Sequence, residues 1–315
     1  LAFGLILAVG LITPTQSPPY QGGEKEGVGM SKILKKLLGL SVVIFILNLI
    51  VIDFWAIWVG LALAMIFMIS FLSAGISKSD RFPTSKIPEV GNQETSDFEA
   101  TEYHGLQLAY FQKAWLPSII LLVSLLFLFI PSPLSKFIQT PIEVSPTFNA
   151  TLNIGIQNLK AGHYLLGSGP NTFGYIFNLY KPAGINQTIF WSTVFNSGAS
   201  AVTSWIGAVG ILGVLALLFL ISAFIWTGIA GNQKSKITPT QSPPYQGGAQ
   251  RGFMGVASQS IFVGVCFLFI MWFLYAANFT VMAFTFWGIG LFLAASMFKP
   301  PQNPPYKWGG EGGGK

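Results

Sequence analysis

Apolar runs separated by short polar segments make up most of the chain. Most of these runs approach the ~20 residues that an α-helix needs to cross a bilayer. Because lipid offers no hydrogen-bond partner to the backbone, each run is predicted to be helical. The chain starts inside such a run without a Met, so a fragment of a longer protein is expected. The predicted helices are Leu1–Ile12, Leu37–Ile52, Phe54–Ile76, Leu116–Ile130, Val202–Ala230, Ile261–Ala277 and Phe279–Phe298.

Positive charges lie mostly on one side of this predicted bundle. If the helices alternate in direction, all but three of the 17 Lys and Arg residues fall on the same side, the exceptions being Lys136, Lys160 and Lys181. Lys and Arg are enriched in the cytoplasmic segments of membrane proteins. The predicted cytoplasmic segments are therefore 13–36, 77–115, 231–260 and 299–315.

Composition favours a membrane protein over a soluble one. Hydrophobic residues make up 52% and charged residues 9% of the chain, whereas a soluble domain carries ~25% charge. We predict an all-α, polytopic bundle in the cell inner or plasma membrane, with membrane lipid but no nucleic acid as partner. With one cysteine, Cys266, no disulfide framework is expected. The predicted parts are N-terminal helices (1–130), a structured extracytoplasmic loop (131–201), C-terminal helices (202–298) and a disordered cytoplasmic tail (299–315).

A proline-rich sequence is repeated in the predicted cytoplasmic segments. ITPTQSPPYQGG occurs at Ile12–Gly23 and at Ile237–Gly248, with a looser copy at Lys299–Gly310. These copies lack apolar periodicity and are expected to be disordered. They are either ligands of the polyproline type for an aromatic groove or spacers spread by duplication. Identical copies without a structural period favour the spacer.

The loop 131–201 is the long segment on the predicted outer side. Loops of about 70 residues are usually functional or disordered, and aromatic residues throughout this one favour folding. Within it a helix is predicted at Ala150–Ala161 and is ended by Gly162. The apolar face of this helix is predicted to consist of Leu152, Ile156 and Leu159.

The sequence GSGPNTF that follows predicts a tight turn. Gly167 and Gly169 permit backbone conformations that other residues avoid, and Pro170 suits the first position of a new helix. The amides at such a helix start can hold an anionic group. These three residues therefore either bind substrate or only shape the loop.

HYLLGSGPNTFGYIFNLYKP, followed by FNSGASAVTSWIGAVGILGVLALLFLI, resembles the signature region of the O-antigen ligase/polymerase superfamily. That superfamily has a PLLGxGPGTF-like turn in its long outward loop and an (H)N…L…GxLGxL sequence that re-enters the membrane. The matching residues here are Leu165–Phe173, Asn196 and Gly210–Gly213. Their order, spacing and predicted outward side agree with the superfamily pattern.

The resemblance implies glycan transfer outside the membrane, from a polyprenyl-diphosphate carrier to a lipid, glycan or protein acceptor. Substitution at the anomeric carbon needs cations for the leaving diphosphate and a base for the acceptor hydroxyl. No cofactor or metal is implied. The catalytic candidates are Lys160, His163 and Asn196, and the substrate-binding candidates are Gly167, Gly169, Pro170 and Lys181.

The candidates depart from the superfamily pattern, which uses outward arginines and a histidine. The arginines of this chain, Arg81 and Arg251, fall in predicted cytoplasmic segments. Either the corresponding arginines lie in an absent N-terminal half, or lysines replace them. Lys160 and His163 share a face if the helix extends that far. Structural alternatives are solvated lysines, an interfacial histidine, and an Asn196 that caps the next helix.

Three other interpretations remain open: a non-enzymatic membrane scaffold, a lipid-linked glycan transporter, and an inactive truncated remnant. The predicted spans contain Asn48 but no Lys, Arg, Asp or Glu, which argues against ion-coupled transport. Asp53, in a tight turn between two spans, is predicted to have a structural role.

Overall fold

Every regular element that the structure describes is a helix. The computed structural model describes residues 1–12, 32–79, 114–132, 137, 144–234, 248–276 and 278–297. No strand occurs in these ranges, so the predicted all-α class is confirmed. The helices are α1 (Ala2–Ile12), α2 (Lys32–Ile52), α3 (Trp55–Ser79), α4 (Ala114–Phe129), α5 (Phe148–Asn158), α6 (Phe173–Tyr180), α7 (Ala201–Lys234), α8 (Gly248–Leu274) and α9 (Phe279–Met297), with a π-helical turn at Leu159–His163 and a 3-10 turn at Ala183–Gln187.

Three helices are long and apolar enough to cross a membrane. Their candidate spans are Ala201–Ala230 in α7, Ala257–Leu274 in α8 and Phe279–Met297 in α9. The other apolar helices of the described ranges, α1 to α4, have shorter apolar stretches. These three helices are compatible with the predicted helical membrane protein. The number of passes and the side on which the loop lies remain predictions.

Several helices extend beyond the apolar runs that predicted them, and α8 begins at Gly248 instead of Ile261. α2 begins at Lys32 instead of Leu37, and α7 continues to Lys234. Lysine is a good helix former, so a helix that leaves the apolar layer continues through it. Much of the rest of the predicted cytoplasmic segments lies outside the described residues, as do the proline-rich copies apart from Ile12 and Gly248.

The central helix of the bundle is α8. It packs against α1, α3, α7 and α9, and 56% of its span is buried, compared with 17% in the spans of α7 and α9. Glycines let the neighbours approach: a Cβ at Gly264 would lie 2.6 Å from the ring of Phe3. Rings fill the space towards α7 and α9, where Phe262 lies 5.1 Å from Phe224 and 5.5 Å from Phe292. The outward faces of α7 and α9 remain apolar and exposed, which suits lipid.

Asp53 forms the turn between α2 and α3. Its backbone is left-handed, with φ 44°. One carboxylate oxygen accepts a hydrogen bond from the Ser132 amide at 2.8 Å, and the other from the Trp58 indole at 3.3 Å. The side chain therefore ties this turn to the end of α4, a structural role that agrees with the sequence prediction.

Candidate functional site

The helix that follows the long loop, α7, is interrupted at Gly210. The backbone there has φ 66° and ψ −169°, a combination that is essentially restricted to glycine. α7 therefore consists of a short first half, 201–209, and a longer second half, 211–234. Such a break leaves backbone carbonyls and amides without partners in the helix, and in an apolar layer these need partners elsewhere.

The segment 164–169 of the loop supplies those partners. It lies alongside the break, donating amides to the carbonyls that end the first half of α7 and offering carbonyls to the amides that begin the second half. The hydrogen bonds run from Ser168 N to Gly207 O (3.2 Å), Gly169 N to Ala208 O (2.8 Å), Ile211 N to Tyr164 O (2.9 Å) and Leu212 N to Leu165 O (3.1 Å). The loop and α7 are thus joined through their backbones.

This pairing needs glycine on both sides. Gly167 has φ 68°, and a Cβ there would overlap the carbonyl group of Ala208. A Cβ at Gly210 would lie 2.5 Å from Gly167 N and from Leu165 O. The sequence prediction that Gly167 permits an unusual backbone shape is correct, and the structure adds its reason, which is close contact with the broken helix.

α5 packs on the first half of α7 from the other side. Gly155 and Gly207 face one another, so that a Cβ on Gly207 would lie 3.1 Å from Gly155 Cα. The buried Asn158 side chain donates through Nδ2 to Gly207 O at 2.8 Å. Small residues thus permit the approach, and the buried amide satisfies a second lone pair of a carbonyl at the break.

The prediction that α5 buries Leu152, Ile156 and Leu159 on one apolar face is wrong. α5 begins at Phe148, after Thr147 accepts the Ala150 amide at 3.2 Å, and its α-helical part ends at Asn158. Ile156 is 44% exposed, because the helix turns a smaller and more polar face towards α7. That buried face consists of Thr151, Ile154, Gly155 and Asn158.

A small core holds the loop together. Ile154 of α5 packs with Phe173, Ile176 and Phe177 of α6, and Phe195 packs against them. The rings of Phe177 and Phe195 meet edge to face at 5.3 Å. This packing brings the segment that contains Phe195 and Asn196 back towards the turn Gly167–Thr172, which we call the glycine turn.

The turn between the paired segment and α6 contains two more left-handed residues, Gly169 (φ 109°) and Asn171 (φ 61°). Thr172 Oγ1 donates to Gly169 O at 2.6 Å and lies 2.6 Å from Ser168 Oγ. The prediction that Pro170 begins the next helix is wrong, because Pro170 is exposed in the turn and α6 begins at Phe173. The left-handed Asn171 separates the proline from the helix, because a helix requires right-handed backbone.

The turn, the first half of α7 and the junction of α8 and α9 enclose a cleft of about 270 Å³. Its side chains are mostly polar on the loop side and mostly apolar on the helix side. They belong to Asn171, Phe173, Asn196, Ser197, Ala201, Ser204, Trp205, Ala208, Ala276 and Met282.

The chemistry of this cleft suits a neutral group that carries hydroxyls. The side-chain amides of Asn171 and Asn196 have no hydrogen-bond partner among the described residues, and each can both donate and accept a hydrogen bond. Trp205 offers an apolar surface and is held edge to face on Trp272 at 5.1 Å. No charged side chain of the described residues lines the cleft. Small-molecule sites commonly combine an apolar wall with a few polar groups in this way.

Asn196 is the catalytic candidate that lies in the cleft. Its Oδ1 approaches α6 so closely that a Cβ on Gly174 would be 2.8 Å away. It does not cap α7; Ser200 does so, accepting the Thr203 amide at 3.2 Å. Asn196 therefore does not have the helix-capping role that was its structural alternative, because it makes no capping hydrogen bond.

The charged candidates lie outside the cleft lining. Lys160 and His163 are exposed on the π-helical turn, in which Gly162 is left-handed with φ 108°. His163 O accepts the Gly167 amide at 3.0 Å, so the histidine adjoins the paired segment. Lys181 follows α6 and donates through Nζ to Trp191 O at 2.9 Å. The structure therefore brings together Asn196 and the glycine turn, but places the cationic candidates elsewhere on the loop.

Among the residues that line the cleft, Asn196 alone was a sequence candidate, and the missed residues with the clearest chemistry are Asn171 and Trp205. Asn171 follows Pro170 in a GPN sequence that is typical of turns, and this signal was available. Trp205 gave no such signal, because a tryptophan near the start of a membrane helix is common at interfaces.

The described residues contain no group of three or more His, Cys, Asp or Glu side chains that could hold a metal ion. Comparison of the chain with protein-family models, with curated proteins and with solved structures finds no match.

Proposed function

We propose that this protein is a membrane glycosyltransferase of the O-antigen ligase/polymerase type. It moves an oligosaccharide from a polyprenyl-diphosphate carrier to a lipid, glycan or protein acceptor on the outer side of the inner or plasma membrane. The observation that carries the proposal is the meeting of Asn196 with the turn Gly167–Thr172 at one cleft beside a membrane helix. The resemblance identified each of these two stretches on its own, and many residues separate them in the sequence.

Contacts among helix ends support the proposed topology. The positive-inside pattern assigns the α2–α3 turn, the end of α4, the start of α7 and the end of α8 to the outer side. Asp53 binds the Ser132 amide, the Phe54 ring meets Tyr275 at 5.1 Å, and Ala201 N donates to Tyr275 O at 3.0 Å. All these ends thus lie together at one end of the bundle, as alternating helices require.

In the proposed reaction, an acceptor hydroxyl oxygen attacks the anomeric carbon of the donor sugar. The bond from that carbon to the diphosphate oxygen breaks, its electron pair leaves with the diphosphate, and the hydroxyl proton passes to a base. Asn196 and Asn171 hold sugar hydroxyls in the cleft, and His163 is the proposed base. Lys160 and Lys181 provide positive charge for the diphosphate from outside the cleft.

A matched pair of amide substitutions tests this site. Asn196→Ala removes the cleft amide, whereas Asn178→Ala removes an exposed amide of α6 that does not line the cleft. Both genes are expressed in cells that lack their own ligase or polymerase, with membrane levels measured. We expect Asn196→Ala to lower glycan transfer ~100-fold or more, the usual effect of losing an aligned polar group at a reacting centre, and Asn178→Ala to retain it.

Equal transfer by the two variants would contradict the assigned site. If the well-expressed wild-type protein transfers no glycan in any of several donor and acceptor backgrounds, the enzymatic proposal fails. A scaffold or an inactive remnant then becomes the better account.

The break in α7 favours one further candidate, a transporter of lipid-linked glycan, because transporters often build their sites from broken helices. However, four backbone groups at this break are already bonded to the loop, so they are not available to a ligand. Movement of labelled carrier across proteoliposomes without glycan transfer would favour the transporter over the enzyme.

A further inference from the structure

The second half of α7 sets the depth of the loop in the membrane. Residues 211–230 are the last 20 of the 30-residue candidate span Ala201–Ala230. At ~1.5 Å per residue they are ~30 Å long, which equals the thickness of the hydrocarbon layer. If this half crosses the layer, Ile211 lies at its boundary and the first half of α7 lies beyond it.

The backbone pairing places part of the loop at the same depth. Tyr164 O and Leu165 O accept the amides of Ile211 and Leu212 at 2.9 and 3.1 Å. Since these atoms are in direct contact, Tyr164 and Leu165 lie at the boundary with the start of the second half of α7. Leu166 follows and is 74% exposed.

The side chains of this segment are large, apolar and exposed. Tyr164 and Leu165 are about half exposed, as are Ile211 and Leu212 beside them. The surface is therefore continuous with the apolar outer face of α7. Because the Tyr164 and Leu165 carbonyls are already hydrogen-bonded, the segment can leave water without exposing these groups to lipid.

We infer that Tyr164–Leu166 is a membrane contact, with Leu165 and Leu166 in the outer edge of the hydrocarbon layer and Tyr164 at the headgroups. Tyrosine is enriched at this level of membrane proteins because its ring is apolar and its hydroxyl is polar. The occupant of this surface is the bilayer. The inference rests on α7 crossing the membrane and does not need the enzymatic proposal.

This contact places the cleft at the membrane surface. Ala208 lines the cleft and is three residues from Ile211, a path of at most ~11 Å along the backbone. A group attached to a lipid carrier can therefore reach the cleft while its chain stays in the bilayer.

Site-directed spin labels test the depth of the segment. Three single-cysteine variants are prepared in a Cys266→Ala background and placed in nanodiscs of phosphatidylcholine and phosphatidylglycerol. They are Leu166→Cys, Gln187→Cys at an exposed turn of the same loop, and Phe219→Cys on the exposed face of α7. Collision rates with oxygen, which enters lipid, and with a water-soluble nickel chelate report the depth of each label.

We expect the oxygen-to-nickel ratio at Leu166 to lie at least ~5-fold above that at Gln187 and below that at Phe219, following the depth of each position in the bilayer. A ratio at Leu166 equal to that at Gln187, with Phe219 in lipid, overturns the contact but leaves the proposed enzyme intact. A label at Leu166 shielded from both reagents overturns it in favour of a protein partner. If Phe219 is also open to nickel, α7 does not span, and the membrane topology fails with the inference.

Discussion

The pairing of the loop with the break in α7 predicts a large and local effect of replacing Gly210. In Gly210→Ala the new Cβ would lie 2.5 Å from both Gly167 N and Leu165 O, well inside van der Waals contact. The φ of 66° and ψ of −169° are also unfavourable for alanine. The substitution therefore forces the two segments apart.

The magnitude follows from the groups that separate. The backbone conformation costs ~1–3 kcal/mol for a residue other than glycine. Four hydrogen bonds between the segments contribute ~1 kcal/mol each. If about half of this pairing is lost, the free energy of local opening falls by roughly 3–5 kcal/mol, which raises the opening equilibrium ~10²–10⁴-fold.

Hydrogen exchange of the protein in nanodiscs measures this opening. Peptides that cover 164–169 and 207–212 are expected to exchange ~10²–10⁴-fold faster in Gly210→Ala, because exchange follows local opening. Gly162→Ala is the matched control: Gly162 also has a positive φ, of 108°, but a Cβ there meets no atom within 4 Å. It is expected to leave the exchange of 207–212 close to that of the wild type.

Wild-type exchange in both peptides of Gly210→Ala would refute this reasoning. So would an equal effect of Gly162→Ala, since backbone strain alone would then account for the change and the steric contact would have no role.

Two further substitutions test the packing around the site. Asn158→Ala, which removes a buried hydrogen bond to Gly207 O, is expected to destabilise the fold by ~1–3 kcal/mol and to lower the melting temperature in detergent; the exposed Asn153→Ala should not, and equal melting of the two would contradict the role of Asn158. Asp53→Ala loses both the acceptor for the Ser132 amide and a residue that tolerates φ 44°, whereas Asp53→Asn retains an acceptor and the tolerance. The melting temperatures should therefore fall in the order wild type, Asp53→Asn, Asp53→Ala, and identical values for the two variants would exclude this account.

The positions of the apolar helices were predictable from the sequence because one strong constraint acts on apolar runs of this length. A backbone in lipid must satisfy its own hydrogen bonds, so an apolar run of sufficient length becomes a helix. The ends were less predictable, and Lys32 and Lys234 both belong to helices that continue past the apolar layer.

The break at Gly210 was not predictable from the same pattern. The run Val202–Ala230 is predominantly apolar and contains no charged residue, and glycine is common in unbroken membrane helices. The break depends on hydrogen bonds to residues 164–169, which lie far away in sequence. The buried face of α5 was missed for a related reason: it faces α7 with glycine, threonine and asparagine, and apolar periodicity does not detect such a face.

The candidate site was predictable only where the chain resembles a known motif. Asn196 and the glycine turn came from that resemblance, and the structure brings them to one cleft. Lys160 and His163 were assigned to this site because the resemblance calls for cations and a base and because both residues lie in the predicted outward loop. A long loop can place exposed charges in many positions, so charge specifies no location until the fold is known.

The geometry of the loop suggests a division of roles if the proposed function holds. The cleft contains amides, hydroxyls and a tryptophan, a set that distinguishes hydroxyl positions on a sugar but offers no positive charge to a diphosphate. Positive charge is available at Lys160 and Lys181, both of which lie on the same loop outside the cleft. Recognition of the glycan and stabilisation of the leaving group would then depend on separate parts of the loop. Loss of Asn196 should therefore change the preference among donor sugars, whereas loss of Lys160 should slow transfer from all donors alike, and a kinetic comparison across two donor glycans distinguishes these two effects.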